Sequence, residues 1–293
     1  MSRYLDPKAD VVFKKIFMEH PHLLKSFLNA VLPLPDDQQI VELTCLPSEQ
    51  VPHIPILKRT IADVRCTDNH GRVFIVEMQI EWTDSFKQRL LFESGQAFVK
   101  QLKAGEEYHL LQPVYGLGLV ATTYDPDPNH WYHHYQLVNV SKPKREVIEH
   151  LQLVFIELPK FPVESTTEKR LRLLWLRFMR EINQDTRVVS EELLSIPEIS
   201  EAVQLTEEAA YTPGELRAYE EYWDAVSVEK TLKTAWWASG RAEGLAEGLA
   251  EGRAEGEKRA KLDMAKQLLQ HGLSKEEIAT VTGLSIDQLR KLK

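Results

Sequence analysis

The stretch FIVEMQIE, Phe74 to Glu81, mixes two patterns whose reading decides the fold. At a period of two, Phe74, Val76, Met78 and Ile80 form an apolar strand face; Ile75, Glu77, Gln79 and Glu81 form the other. Upstream, IADVRC carries Asp63 in a second apolar run, joined to the first through TDNHG. Residues directly opposite in an antiparallel pair share a face. A three-residue loop Asn69-His70-Gly71, with Gly71 left-handed, pairs Asp68 with Arg72 and sets Asp63 opposite Glu77. A four-residue loop strands Asp63 among Val76 and Met78 instead, where an unpaired carboxylate is costly. The expected register therefore gathers Asp63, Glu77 and Gln79.

Outward from this hairpin, the chain reads as helix, sheet, then helix again. LDPKADVVFKKIF offers Asp6 as an N-cap and Pro7 at the first helical position, and His20-Pro21 breaks the pattern into two helices. IVELTCL (Ile40 to Leu46) is a first strand, followed by a loop marked by Pro47, Pro52 and Pro55. After the hairpin, Thr83 to Gly105 reads as a helix stopped by Gly105. VYGLGLVAT, HHYQLVNV and LQLVFIEL read as three further strands. From Ser165 onward the patterns are helical. Strands mixed with flanking helices imply an α/β sheet. The expected organisation is residues 1–164 as an α/β domain, 165–235 as a helical extension, 236–260 as a repeat helix or linker, and 261–293 as a small helical module.

The repeat is four tandem copies of x-Ala-Glu-Gly, RAEG, LAEG, LAEG and RAEG, over Arg241 to Gly256. Each glycine costs a helix about 1 kcal/mol relative to alanine, so the segment reads as a tether or a weak oligomer helix. Beyond it, Ser274 with Glu277 and Ser285 with Gln288 are successive capping boxes. Ile278, Ala279, Val281, Ile286 and Leu289 supply a small core, and the arrangement is helix-turn-helix-like. Only Arg290, Lys291 and Lys293 are basic in the last helix, so docking or assembly is a better fit than reading DNA.

Two close carboxylates that both stay ionised need a cation between them, because like charges raise each other's pKa. Asp63, Glu77, a backbone carbonyl and waters make a hard-oxygen set suited to Mg²⁺ or Mn²⁺. The Asp63…Glu77-x-Gln79 spacing across a hairpin resembles the PD-(D/E)xK nuclease core in its Gln variant. With Asp10, Phe13, Lys14 and Phe17 near the start and the GRAEGLAEG repeats near the end, the whole chain resembles the Rpn family of recombination-promoting nucleases, also called putative transposases. That resemblance implies a restriction-endonuclease-like mixed sheet flanked by helices and metal-dependent hydrolysis of DNA phosphodiesters. It implies Asp63, Glu77 and the main-chain carbonyl of Met78 as metal ligands, with Gln79 where the superfamily's Lys orients water. Gln carries no charge, and Ala62 stands where the superfamily has Pro before the first acid. Asp10 reaches toward the site from the first helix, or else simply pairs with Lys14. Arg89 and Gln96, on one face of the helix after the hairpin, touch the scissile phosphate or are surface polar residues.

Other features bound the reading. The 293 residues are 43% hydrophobic and 27% charged, with a formal net charge of −8, which argues against indiscriminate coating of nucleic acid. A local basic groove stays open: Lys169, Arg170, Arg172, Arg177 and Arg180 mark a basic helix that contacts DNA backbone or is a solvated face. Cys45 and Cys66 make no disulfide framework. HWYHHY, with His130, His133 and His134, shows no cysteine or acidic partner for zinc and reads as edge-strand polarity. There is no apolar signal core and no membrane-spanning run, so the expected location is cytoplasmic. Expected partners are DNA and a second copy, as a dimer through the C-terminal helices. The competing function is a nuclease-derived DNA-binding or regulatory oligomer with little or no turnover.

Overall fold

The computed structural model describes residues 3–46, 49–50, 60–61, 63–142, 146–162 and 169–292. Pro47, Pro52, Pro55, Ala62, Lys293 and the segment just before the basic helix lie outside them. The chain forms two compact units, Met1–Val226 and Ser227–Lys293.

The first unit opens with α1 (Asp10–Phe17) and α2 (Pro21–Val31). β1 (Leu43–Leu46) follows, then a short ribbon of β2 (Glu49–Gln50) and β3 (Thr60–Ile61). The hairpin of β4 (Val64–Asp68) and β5 (Val73–Gln79) leads through α3 (Phe86–Val99) to β6 (Val114–Val120). Next come β7 (Tyr132–Val138), β8 (Val147–Glu157), α4 (Arg170–Glu181), α5 (Glu191–Leu194) and α6 (Pro197–Leu205). The sheet order is β1-β4-β5-β6-β8-β7. β5, β6 and β8 run parallel at its centre, with antiparallel neighbours on both sides.

The hairpin has the expected register: Val64 faces Val76, Cys66 faces Phe74, and Gly71 takes φ +79°. Its two faces differ from a half-solvated strand. Phe74 and Val76 join a core built on α1, α2, α4 and α6, while Ile75 packs against α3 with Phe86, Leu90 and Phe155. Helices cover both sides, which is why β6 is buried along its whole length and reads as a continuous apolar run. The larger core is anchored by Phe13, Phe17, Phe27 and Trp175, all fully buried and in mutual ring contact. Full burial of such a side chain is worth about 1.5–3 kcal/mol. α4 and α6 complete this core, so α4, α5 and α6 belong to the same compact unit as the sheet.

Several helix ends differ from expectation. α1 begins at Asp10, not Pro7, because the Asp6 carboxylate accepts from the Lys8 amide at 2.9 Å and pairs with the Lys8 ammonium at 2.7 Å. α3 ends at Val99, and Gly105, at φ +91°, turns the loop beyond it. Cys45 and Cys66 are free thiols facing each other across β1 and β4.

α7 (Pro213–Gln270) contributes Tyr219, Tyr222 and Trp223 to the first unit's core and carries the Ala-Glu-Gly repeats as exposed helix. In the second unit, α8 (Lys275–Thr282) and α9 (Ile286–Arg290) both have complete capping boxes, from Ser274 with Glu277 and Ser285 with Gln288. Gly283, at φ +69°, ends α8 in the left-handed conformation that glycine adopts most readily. Ala265, Ile278, Leu284 and Leu289 form the small core; Val281 and Ile286 point outward instead. Among the described residues no helix is long and apolar enough to cross a membrane.

Candidate active site

Asp63, immediately before β4, and Glu77, in β5, each hold a backbone amide of the opposite strand's end at the open end of the hairpin. Asp63 Oδ2 accepts from the Met78 amide at 2.6 Å, and Glu77 Oε1 accepts from the Asp63 amide at 3.2 Å. α3 lies over this face because β6 presents glycines beneath it. A Cβ on Gly116 would sit 2.5 Å from Ser94 Oγ; one on Gly118 would sit 2.8 Å from Phe155 and 2.9 Å from Phe86. The two glycines of VYGLGLV permit that close approach of helix to sheet.

The approach delivers two α3 side chains to the acids. Arg89 Nη2 donates to Gln79 Oε1 at 2.5 Å and stands 3.7 Å from Glu77 Oε2. Gln79 Nε2 donates to the Glu81 carbonyl at 2.7 Å, so the amide is held at both ends. Glu93, only 2% exposed, hydrogen-bonds the Glu77 side chain. Sequence reasoning missed Glu93. Its signal was present: Phe86, Leu90, Glu93 and Ala97 fall on one buried helical stripe, and a carboxylate there needs a reason.

The electrostatics are those of crowded acids. Burial pushes the Glu77 carboxyl up to about 9, reinforced by Asp63 and Glu93 and opposed by Arg89. Burial also raises Asp63 to about 6, with the Met78 amide pulling down, Asp10 pushing up, and Lys14 and Arg89 pulling down. Asp10, the first residue of α1, pairs with Lys14 at 2.7 Å, and both charges are felt at Asp63. The structure thus brings Asp10, Lys14, Asp63, Glu77, Gln79, Arg89 and Glu93 into one neighbourhood. Met78 follows Glu77 in β5 with its amide on Asp63, and Gln96 is buried one turn beyond Glu93. All-oxygen donors whose pKa values are raised by burial and by neighbouring acids fit a hard divalent cation.

Elsewhere the basic helix is tied inward. Arg172 Nε donates to the Ala30 carbonyl at 2.8 Å, Arg180 Nη1 to Phe161 at 2.6 Å, and Arg177 pairs with Glu181 and Glu192. Arg170 bonds Ser195 and Lys169 pairs with Asp36. Arg172, Arg177 and Arg180 tie α4 to its neighbours, while Lys169 and Arg170 stay exposed. The histidine run also departs from expectation, because acidic partners do stand beside it: Asp125 from the β6–β7 loop and buried Glu157 from β8.

A family model described as PD-(D/E)XK nuclease family transposase matches residues 7–232. No curated protein and no solved structure matches the chain. The matched span contains Asp10, the hairpin acids, α3, the whole sheet and the helices that share its core. On that match, and with the mixed sheet and flanking helices just described, the chain belongs to the PD-(D/E)XK nuclease family transposases.

Proposed function

We propose that this protein is a metal-dependent DNA endonuclease acting in recombination, mobile-element movement or defence, with Asp63, Glu77 and the Met78 carbonyl holding Mg²⁺ or Mn²⁺. The observation that carries the reading is the pair of buried carboxyls, Asp63 and Glu77, raised to about 6 and about 9 beside a third acid, Glu93. A fold retains such repulsion where a cation relieves it. When bound, that cation supplies positive charge and Lewis acidity at the scissile phosphate. The chain's own residues supply the rest. Asp63 and Glu77 fix the position of the reacting group between β5 and the residue before β4. Gln79, clamped by Arg89 and the Glu81 carbonyl, keeps one Oε1 lone pair to accept a hydrogen bond from the attacking water. Arg89 places a guanidinium beside that amide and restores the positive charge that Gln lacks relative to Lys.

Incubating supercoiled plasmid with the purified chain, with and without Mg²⁺, tests this. Cleavage requiring Mg²⁺ and lost in Asp63→Ala is the expected result; Asp63→Ala cleaving like the parent would sink it. The competing reading, a nuclease-derived DNA-binding or regulatory oligomer, draws on the clamp at Gln79, which holds both ends of its amide. It requires DNA retention in a gel shift without nicking under any divalent metal.

Assembly is proposed through the exposed apolar side chains of the long helix, Trp236, Trp237, Leu245 and Leu249. Light scattering should give a dimer for the full chain and a monomer for Trp236→Ser/Trp237→Ser; the same mass for both refutes it.

A further inference from the structure

Three strands away from Glu77, at the edge strand β7, lies a second group of metal-type side chains. In the sheet register Gln79 pairs with Val120, Val120 with Glu157 and, on the edge strand, His133 with Phe155, so the two groups sit toward the same strand ends with β7 three strands from β5, roughly 14 Å at a strand spacing of about 4.8 Å. Asp125, His130 and His133 offer one ligand atom each, all within 4.8 Å of one another. The imidazoles of His130 and His133 lie with centroids 4.2 Å apart and planes inclined by 46°.

The surroundings are those of a built site. His133 is buried with its Nε2 2.8 Å from Glu157 Oε1; a carboxylate can only accept, so in the tautomer that donates there Nδ1 carries the lone pair a metal needs. A buried carboxylate orienting a ligand imidazole in this way is a recurrent support of metal sites. Glu157 is fully occupied by that task. It also accepts from the Tyr124 amide at 2.8 Å and the Asp125 amide at 3.4 Å, and pairs with the Lys160 ammonium at 3.0 Å. Lys160 additionally donates to the Asp125 carbonyl at 2.6 Å. Asp125 Oδ1 accepts from the Asp127 amide at 2.8 Å, which fixes the carboxylate while leaving its other oxygen open. His130 is exposed, and its ring is open on the solvent side.

We propose that Asp125, His130 and His133 bind a borderline divalent transition-metal ion of the zinc type, at a site separate from the Asp63–Glu77 pair. Two imidazoles and one carboxylate suit Zn²⁺ and its neighbours, whereas Mg²⁺ prefers all-oxygen shells. Tetrahedral zinc with bonds of about 2.0–2.2 Å needs ligand separations near 3.4 Å. Separations of at most 4.8 Å therefore close to that value by shifts of no more than about 1.5 Å. Three protein ligands leave a fourth position for water or a ligand from outside. The ion would staple the β6–β7 loop to the edge strand. From there Tyr124 stacks on Trp82, at 3.8 Å between centroids, just beyond the end of β5.

The test uses the untagged full chain, stripped with a chelator and titrated with Zn²⁺ against a chromophoric zinc indicator. Cobalt substitution serves as a second readout through its visible absorption. One equivalent of Zn²⁺ should bind, survive Asp63→Ala unchanged, and weaken at least about 10- to 100-fold in His130→Ala, with the cobalt spectrum lost. His130 is exposed, so His130→Ala should keep the parent's metal-free melting temperature, which separates lost ligation from lost folding. Absence of stoichiometric Zn²⁺, or equal affinity in His130→Ala, or loss in Asp63→Ala instead, would overturn the proposal.

Discussion

The two ends of one hairpin treat their carboxylates in opposite ways. At the turn, Asp68 is buried and fully answered. It accepts from the Arg72 Nε at 2.7 Å, from the Arg72 amide at 2.9 Å and from the His70 amide at 3.0 Å. At the open end, Glu77 is buried to a similar degree, yet it faces Asp63 and Glu93, and the nearby cation, Arg89, stays 3.7 Å away. The first arrangement stabilises the fold. The second leaves a carboxyl that keeps its proton until a cation from outside takes its place, as a binding site does. Burial of an acid is therefore a poor guide to its role until its partners are counted.

The comparison can be broken from either end. The largest effect should come from Asp68→Ala, which leaves the buried Arg72 without its carboxylate and should cost about 3–5 kcal/mol of stability. Chemical denaturation reads this directly, and a loss below about 1 kcal/mol would remove the contrast. Arg89→Ala should lower the rate of plasmid cleavage by about 10- to 100-fold. Because Arg89 is exposed, stability should change by less than about 1 kcal/mol. Arg89→Lys, which keeps the charge, should recover part of the rate. A cleavage rate unchanged in Arg89→Ala would mean that the guanidinium does not compensate for Gln79.

A smaller effect concerns pH. Glu77 stays protonated in the folded chain up to about pH 9, while an unfolded chain ionises it near 4.5. Below pH 4.5 both states carry the proton and the shift has no consequence. Between 4.5 and 9 the unfolded chain gains by ionising, so metal-free stability should fall as pH rises through that window. Glu77→Gln should flatten this slope and raise the melting temperature at pH 8 by about 2–8 °C, equivalent to about 1–2 kcal/mol. A slope identical in Glu77→Gln and parent would show that the Glu77 carboxyl is not strained.

The hairpin register was legible because a glycine at one turn position, Gly71, fixes the pairing of every residue on both strands. Both C-terminal capping boxes were legible for the same reason: their partners are three residues apart. What was missed depends on distance along the chain. Glu93 meets Glu77 only because Gly116 and Gly118 let α3 settle on the sheet. Asp125 and Glu157 meet His133 only through the return of the β6–β7 loop to the end of β8. That Arg172 and Arg180 of α4 donate to the Ala30 and Phe161 carbonyls is seen only in the tertiary fold. Local spacing recorded the strands, turns and caps; the pairing of charges needed the tertiary fold.

The most direct test of the central claim is calorimetric titration of Mn²⁺ into the His130→Ala chain near pH 7.5, in two buffers of different ionisation enthalpy. Binding at Asp63 and Glu77 requires Glu77 to give up the proton it holds up to about pH 9, so about one proton should be released per ion bound. Glu77→Gln in the same background should abolish both the binding and the release. Binding of equal strength in the Glu77→Gln chain, or no binding in the chain that retains Glu77, would contradict a cation site at the open end of the hairpin.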